Sequence, residues 1–138
     1  MSTFAEKGVE YLLIGGYAVN YYGYVRYTGD LDLWVRPTEE NAKRVVEALT
    51  AFGFGVAALS EEAILSPRVV TRMGVPPYRL EILSDISGVT FEECWADRIE
   101  DEWNGVPVTI IGLGGLRKNK RASGRLKDLA DLEELPPE

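Results

Sequence analysis

The 138-residue chain contains no histidine and a single cysteine, Cys94. Without imidazole, neither a Ser-His-Asp or Cys-His catalytic arrangement nor a zinc site with histidine ligands can form. One cysteine excludes an intrachain disulfide, and we expect Cys94 to be a small buried side chain rather than a nucleophile. If the protein is an enzyme, its chemistry therefore depends on carboxylates, lysine, arginine, tyrosine and bound metal.

Long hydrophobic runs are also missing. The first ten residues carry Glu6, Lys7 and Glu10 and lack the apolar stretch of a signal peptide, and no run approaches the roughly 20 residues that span a membrane. We therefore expect a cytoplasmic protein without a membrane anchor. With 15 basic and 22 acidic residues the net charge is −7, which argues against broad, nonspecific binding to nucleic acid. The length and the 46% hydrophobic content suit one domain, 1–138.

Strand and helix patterns alternate along the chain. We predict, in order, a strand over 11–14, a short helix through Ala18 to Gly23, a strand over 30–35, a helix over 38–49, a helical turn over 60–65, β-structure over 68–73, a strand over 78–83 and a helix capped by Thr90 and Glu93. Asn104-Gly105 favours a type I′ hairpin between 99–103 and 106–111, and a basic helical tail follows. This mixture predicts an α/β (α+β) fold with a mixed β-sheet flanked by helices.

The most specific pattern joins a glycine pair to two aspartates. Gly15 and Gly16 follow the first strand, while Asp30 and Asp32 stand two residues apart on the next one. Residues at i and i+2 of a strand share one face, so both carboxylates can serve one or two hard cations. Glycines at the start of a helix let backbone N–H groups approach phosphate oxygens. The combination predicts a binding site for a nucleoside triphosphate and magnesium.

The stretch from Tyr11 to Val35 resembles the signature of the DNA polymerase β-like nucleotidyltransferase superfamily. Later segments are similar to its compact bacterial and archaeal branch, which includes minimal nucleotidyltransferases and AbiEii-type toxins. These segments are Arg79-Leu80-Glu81-Ile82-Leu83 with Ile86-Ser87-Gly88, and Asn119-Lys120-Arg121-Ala122-Ser123-Gly124-Arg125 with Lys127-Asp128-Leu129. The resemblance covers about 11–132 and implies one nucleotidyltransferase-like domain. Its catalytic sheet and helices would occupy 11–111, and a basic helical segment would occupy 112–135.

The resemblance implies transfer of a nucleoside monophosphate from an NTP to a hydroxyl acceptor, with release of pyrophosphate. Two Mg²⁺ ions, or Mn²⁺ in their place, are expected on Asp30, Asp32 and a third carboxylate. Alternation along the strand over 78–83 places Arg79, Glu81 and Leu83 on one face and Tyr78, Leu80 and Ile82 on the other. Glu81 is therefore the candidate for that ligand and for the general base, and Asp85 is the alternative. The family more often has aspartate at the position of Glu81 and serine at the position of Gly16.

Basic residues are concentrated in the tail, where six of the 15 fall within eleven positions: Arg117, Lys118, Lys120, Arg121, Arg125 and Lys127. In the family this segment returns to the nucleotide site, so Lys120, Arg121 and Lys127 are expected to contact phosphate or acceptor. Arg26 and Thr28, beside the paired aspartates, are expected to reach the same phosphates.

Each of these patterns also has a purely structural interpretation. The aspartates and the tail charges would then be solvated surface, and Glu81 would pair with Arg79 or Arg125. Five tyrosines would pack around the short helix rather than stack on a base: Tyr17, Tyr21, Tyr22, Tyr24 and Tyr27. Gly112, Gly114 and Gly115 do not form a dinucleotide loop, because Arg117 stands where the third glycine belongs.

Two hypotheses of function follow. The first is the nucleotidyltransferase; the second is a protein of the same fold that binds nucleotide or a protein partner without catalysis, as one component of a toxin-antitoxin pair. For the enzyme, the acceptor is open among antibiotic hydroxyls, an RNA end such as the tRNA 3′ end, and protein hydroxyls. A homodimer is a further expectation, because an open sheet with many aromatic side chains offers a surface for one.

Overall fold

The computed structural model describes residues 2–23, 30–51, 61–66, 70–73 and 79–136, with side chains except at 2, 3, 30 and 70–73. Its helices are α1 (Ser2–Glu6), α2 (Gly15–Tyr21), α3 (Glu39–Ala51), α4 (Glu61–Leu65), α5 (Phe91–Ala96), α6 (Leu113–Ser123) and α7 (Leu126–Glu134). Its strands are β1 (Tyr11–Ile14), β2 (Asp30–Val35), β3 (Val70–Met73), β4 (Arg79–Leu83), β5 (Ile99–Trp103) and β6 (Val106–Ile110). The expected α+β fold is confirmed.

All six strands form one mixed sheet in the order β3-β4-β2-β1-β6-β5. The central strand β1 is antiparallel to β2 and parallel to β6, and β2 is parallel to β4. Antiparallel hairpin partners, β3 and β5, close the two edges. The antiparallel pair β1 and β2 therefore has a parallel neighbour on each side. This order brings β1, β2 and β4 together, although Asp32 and Glu81 are 49 positions apart in the sequence.

The apolar runs of the sequence form the core. All four residues of β1 are buried, and Leu12 and Leu13 are completely inaccessible to solvent. Helix α3 contributes Val45 and Leu49, whose spacing places them on one face of the helix. No helix within the described ranges is long and apolar enough to cross a membrane.

Local signals in the sequence set several element boundaries as expected. The Thr38 hydroxyl accepts the N–H of Asn41 at 3.3 Å at the start of α3. Thr90 and Glu93 form the reciprocal capping box at the start of α5. Asn104 and Gly105 have φ values of 53° and 81° between β5 and β6, as a type I′ turn requires.

Two boundaries differ from the expectation, both at glycines. Helix α2 begins at Gly15 itself, so the glycine pair belongs to its first turn and not to a separate turn ahead of it. The basic tail is divided into α6 and α7 at Gly124, which has φ 67° and donates its N–H to the carbonyl of Lys120. A left-handed residue ends a helix and is accessible to glycine at little cost, so α7 can fold back against α6.

Candidate active site

A polar cavity of about 450 Å³ lies where the sheet meets the basic tail. This volume falls within the range of about 300–1,000 Å³ that is usual for small-molecule sites. Its lining combines the end of β1, strands β2 and β4, the loop after β4 and helix α6 with the residues that follow it: Ile14, Gly15, Asp32, Arg79, Glu81, Leu83, Asp85, Ile86, Ser87, Asn119, Lys120, Ser123, Arg125 and Lys127.

Register between parallel strands brings the two principal carboxylates together. Asp32 of β2 is paired with Glu81 of β4, and Asp30 is paired with Arg79 two residues earlier. Paired residues on adjacent strands project from the same face of a sheet, and both Asp32 and Glu81 line the cavity. The prediction that Arg79, Glu81 and Leu83 share one face of β4 is confirmed, because all three line this cavity. The backbone of Asp30, but not its side chain, is described.

Gly15 lies directly against the carboxylate of Asp32. A Cβ atom built on Gly15 would lie 2.3 Å from Oδ2 of Asp32, and the φ of Gly15 is +70°. Oδ1 of Asp32 is shielded from solvent. Only glycine satisfies both the left-handed backbone and the close approach, so its missing side chain leaves room for the carboxylate at the end of β1.

The loop after β4 packs tightly on α6, which forms the other wall. A Cβ atom on Gly88 would lie 2.4 Å from the Cβ of Ala122, and Gly88 has φ +81°. One turn earlier, the Asn119 side-chain amide donates to the carbonyl of Ser87 at 3.0 Å. The second family-like segment, which ends at Gly88, is therefore joined to the tail by side chains of α6 that contact the backbone of the loop.

A buried ion cluster fixes α7 on α6. The Nζ atom of Lys120 lies 3.1 Å from Oδ1 of Asp128 and 3.1 Å from Oδ2 of Asp131. Lys120 is 4% exposed, Asp131 2% and Asp128 not at all. Lys120 thus lines the cavity while two carboxylates hold its ammonium group.

The Asp128 carboxylate also accepts hydrogen bonds from the turn between α6 and α7. Its Oδ2 accepts the Ser123 hydroxyl at 2.7 Å and Nε of Arg125 at 2.7 Å. Burial would raise the pKa of Asp128, but the hydrogen bonds from Arg125, Ser123 and Lys120 outweigh it and lower the pKa to about 2. Asp128 is thus ionised at neutral pH and orients Arg125, whose side chain is 63% exposed and lines the cavity.

Charge is segregated across the cavity. The acidic side chains Asp32, Glu81 and Asp85 come from β2, β4 and the loop after β4. Lys120, Arg125 and Lys127 come from α6 and the start of α7, and Arg79 is the one basic lining residue from the sheet. A ligand that carries bound cations at one end and anionic oxygens at the other matches this arrangement.

Not every residue expected at the site lines this cavity. Gly16 is buried in α2 and is absent from the lining. Arg121 lies on a different face of α6, at a second cavity of about 360 Å³. The expectations for Arg26 and Thr28 fall outside the described residues.

The second cavity lies beside the lone thiol. Cys94 is 3% exposed, and a Cβ on Gly115 would lie 2.9 Å from its Sγ. Burial, together with the charges of Glu93 and Asp97, raises the pKa of the Cys94 thiol to about 11. Cys94 is therefore a buried, protonated side chain, as expected from its being the single cysteine.

Three tyrosines of α2 and its C-terminal end are packing residues. Tyr17, Tyr21 and Tyr22 pack against the core, and the Tyr22 hydroxyl donates to the carbonyl of Ile111 at 2.6 Å. None of the three is among the residues that line the 450 Å³ cavity. The same interpretation for Tyr24 and Tyr27 lies outside the described residues.

The oxygen donors at the cavity suit a hard cation. Carboxylates are the ligands that Mg²⁺ prefers, and the missing side chain of Gly15 leaves space beside Oδ2 of Asp32. Among the described side chains, no group of three carboxylate or thiol ligands is assembled for a metal ion. Asp30, whose backbone lies beside Arg79 at the start of β2, is the residue that would extend the pair.

Sequence reasoning missed the roles of Asp128 and Asp131. Both fall in an alternation of leucine and acidic residues in which leucine would be expected to face inward. The available signal was Lys120, a lysine eight positions before Asp128 on the preceding helix. A lysine can be buried when carboxylates pair with it.

Comparisons with known proteins support the fold. No family model matches the chain, and no curated protein matches it. Among solved structures, it is similar to one described as a "putative nucleotidyltransferase" from Thermotoga maritima, with 17% sequence identity and a TM-score of 0.63. The match covers 96% of this chain and 84% of the other. The described elements, their sheet order and this neighbour together show that the chain has a nucleotidyltransferase-like fold.

Proposed function

We propose that this protein is a magnesium-dependent nucleotidyltransferase that transfers a nucleoside monophosphate from an NTP to a hydroxyl acceptor and releases pyrophosphate. The observation that carries the proposal is the cavity in which Asp32 and Glu81, paired on neighbouring strands, face basic residues of the tail. A metal-bound triphosphate carries both cation and anion, so both walls have a partner.

On the sheet side of the cavity, the carboxylates would bind the metal and accept a proton. Asp32, together with Asp30, would hold magnesium, and Glu81 would be the third ligand and take the proton of the attacking hydroxyl. Bound magnesium would neutralise developing charge on the phosphates. Asp85, in the loop after β4, lines the same cavity and is the alternative to Glu81.

The phosphates would be bound from the tail and from the start of α2. Arg125, oriented by Asp128, and Lys127 both line the cavity and supply positive charge. Lys120 has three N–H donors and two carboxylate partners, so it would contribute only its remaining donor to the phosphates. The backbone N–H groups of Gly15 and Gly16 would also bind phosphate oxygens. Arg26 and Thr28 are further expected phosphate contacts. Arg121, which lines the other cavity, remains an expected phosphate or acceptor contact.

The Thermotoga neighbour supports the proposal at the level of the fold. The closer relationship, to the minimal and AbiEii-type branch, is part of the proposal and rests on the segments 79–88 and 119–129 of the sequence. The acceptor is a hydroxyl on a small molecule, an RNA end or a protein.

Nucleotide titration tests the binding half of the proposal. ATP, GTP, CTP and UTP are titrated calorimetrically into the wild type, with and without Mg²⁺, and into Asp32→Asn and Asp30→Asn/Asp32→Asn. We expect metal-dependent binding of at least one NTP that both variants lose. Asp101→Asn is the matched control, because Asp101 is an exposed residue of edge strand β5, and it should bind like the wild type.

Transfer is measured with the bound NTP labelled at the α-phosphate, offered in turn to aminoglycosides, RNA and protein. Transfer of the label to an acceptor, with release of a stoichiometric amount of pyrophosphate, would establish nucleotidyltransferase activity. Binding without turnover would overturn the catalytic proposal in favour of a binding protein of the same fold. Absence of NTP binding by the folded wild type would overturn the site as well.

A further inference from the structure

The sheet wall of the 450 Å³ cavity changes from charged to apolar along β4. Arg79, Glu81 and Leu83 line it in that order, each two residues after the one before. Alternate residues of a strand are about 6.6 Å apart, so Leu83 lies about that far beyond Glu81. Leu83 is half-buried and packs against the hydrophobic core. The carboxylate proposed to bind metal therefore has an apolar neighbour on the side away from Arg79.

The loop after β4 continues this apolar end of the cavity. Ile86 is half-buried and packs against the core, and Ser87 is exposed; both line the cavity. Asp85 is the charged lining residue of this loop, and its carboxylate would repel phosphate oxygens. An uncharged part of a ligand therefore matches this end better than a phosphate does.

Asn119 of α6 lies at the same end, on the opposite wall. Its side-chain amide donates to the carbonyl of Ser87 at 3.0 Å. A backbone carbonyl can only accept, so Nδ2 faces Ser87 and the orientation of the amide is determined. Oδ1 has no hydrogen-bond partner among the described residues, and it is not a buried atom. Asn119 therefore offers an accessible acceptor whose position is fixed by the contact with the loop.

The basic residues of the tail lie further along the wall that contains Asn119. Ser123, about 6 Å beyond Asn119 along α6, is joined through the Asp128 carboxylate to Arg125. Lys127 follows in the first turn of α7. Phosphates bound by Arg125 and Lys127 would leave the other end of a nucleotide to extend towards Asn119.

We infer that the nucleoside of the proposed NTP substrate occupies the apolar end of the cavity, where Oδ1 of Asn119 accepts one of its hydrogen bonds. The inference rests on the proposed function, because the nucleoside is placed relative to the metal and the phosphates. Leu83 and Ile86 supply the apolar contact with the base or the sugar. The donor is a ribose hydroxyl or an N–H group of the base, since a fixed amide oxygen accepts from either.

Calorimetric titration in the presence of Mg²⁺ tests the inference with ligands that share the triphosphate. The ligands are the NTP that binds best, its 2′-deoxy and 3′-deoxy forms, and inorganic tripolyphosphate. We expect the wild type to bind the NTP more tightly than tripolyphosphate. Asn119→Ala should weaken binding of the NTP about 3- to 10-fold, as the loss of one hydrogen bond does, and should leave binding of tripolyphosphate unchanged.

The deoxy forms identify the donor through a double-mutant cycle between protein and ligand. If the donor is a ribose hydroxyl, Asn119→Ala should have no effect on the form that lacks it. If the donor belongs to the base, the effect should persist with both deoxy forms.

Asn119→Asp separates the acceptor from the contact with the loop. It keeps an acceptor oxygen but loses the donor to Ser87, so the ratio of NTP affinity to tripolyphosphate affinity should recover towards the wild-type ratio. Equal losses in the alanine and aspartate variants would overturn the inference, because the loop contact alone would then explain them. Asn104→Gly is the control: Asn104 has φ 53°, which glycine adopts readily, and it does not line the cavity.

The remaining outcomes separate this inference from the proposed function. A wild type that binds the NTP no more tightly than tripolyphosphate overturns the nucleoside site and leaves the magnesium and triphosphate site in place. The inference also fails if Asn119→Ala weakens both ligands equally or neither of them. Absence of binding of both ligands to the folded wild type overturns the proposed function together with the inference. Circular dichroism checks that each variant is folded.

Discussion

The Nζ atom of Lys120 lies 3.1 Å from a carboxylate oxygen of Asp128, and both side chains are at least 95% removed from solvent. This contact joins α6 to α7 and determines which face of α7 is turned inward. It also connects the fold to the candidate site, because Ser123 and Arg125 share the Asp128 carboxylate and line the same cavity as Lys120.

Lys120→Met should destabilise the protein by about 3–5 kcal/mol, because two carboxylates would remain buried without their cation. Lys118→Met is the matched control on the same helix. The Lys118 side chain is 59% exposed and 3.9 Å from Glu93, so its loss should cost less than about 1 kcal/mol. Urea unfolding measures both. Equal effects for the two variants would contradict a stabilising role for the buried cluster.

Asp128 should make stability depend on pH in the acid range. Its pKa is lowered from 3.8 to about 2 in the folded protein, so its contribution is complete above the unfolded value and is lost as the pH falls towards 2. The shift corresponds to about 2 kcal/mol. The difference in unfolding free energy between the wild type and Asp128→Asn should therefore shrink by about this amount between about pH 6 and pH 2. A difference that does not change with pH would contradict the prediction.

Gly15→Ala should impair nucleotide binding beyond its effect on stability. The new Cβ would meet Oδ2 of Asp32, and Gly15 has φ +70°. Gly105→Ala introduces comparable backbone strain at φ +81°, but no atom lies within 4 Å of its Cβ position. Each variant should lose about 1–2 kcal/mol of stability through the left-handed backbone. Only Gly15→Ala should weaken magnesium-dependent NTP binding in calorimetry; equal binding by the two variants would show that the contact with Asp32 has no functional role.

Cys94 should react slowly with alkylating agents in the folded protein. The thiol is 3% exposed, and its pKa is raised to about 11 from 9.0, mainly by burial. Two pKa units lower the thiolate fraction about 100-fold at neutral pH. Iodoacetamide labelling, followed by mass spectrometry, should be at least that much slower in buffer than in denaturing urea. Rapid labelling of the native protein would contradict the burial of this side chain.

Sequence alone determined the elements whose causes are local. The uninterrupted apolar run Tyr11–Ile14 predicted β1 within the bounds observed, since a short continuous run of this kind is typical of a strand buried on both faces. The capping box at Thr90 and the turn at Asn104-Gly105 depend only on residues within three positions of each other. Period-two alternation likewise assigned Glu81 to the cavity face of β4.

Only the tertiary structure decided which distant residues became neighbours. The pairing of Asp32 with Glu81 depends on a parallel register between strands 49 residues apart. The inward face of α7 depends on Lys120, because the free energy of pairing a buried ammonium outweighs the amphipathic preference of nine residues. The same contact leaves Leu126 exposed and places Arg125 at the cavity. Neither outcome could be predicted from the local sequence pattern of Leu126–Glu134.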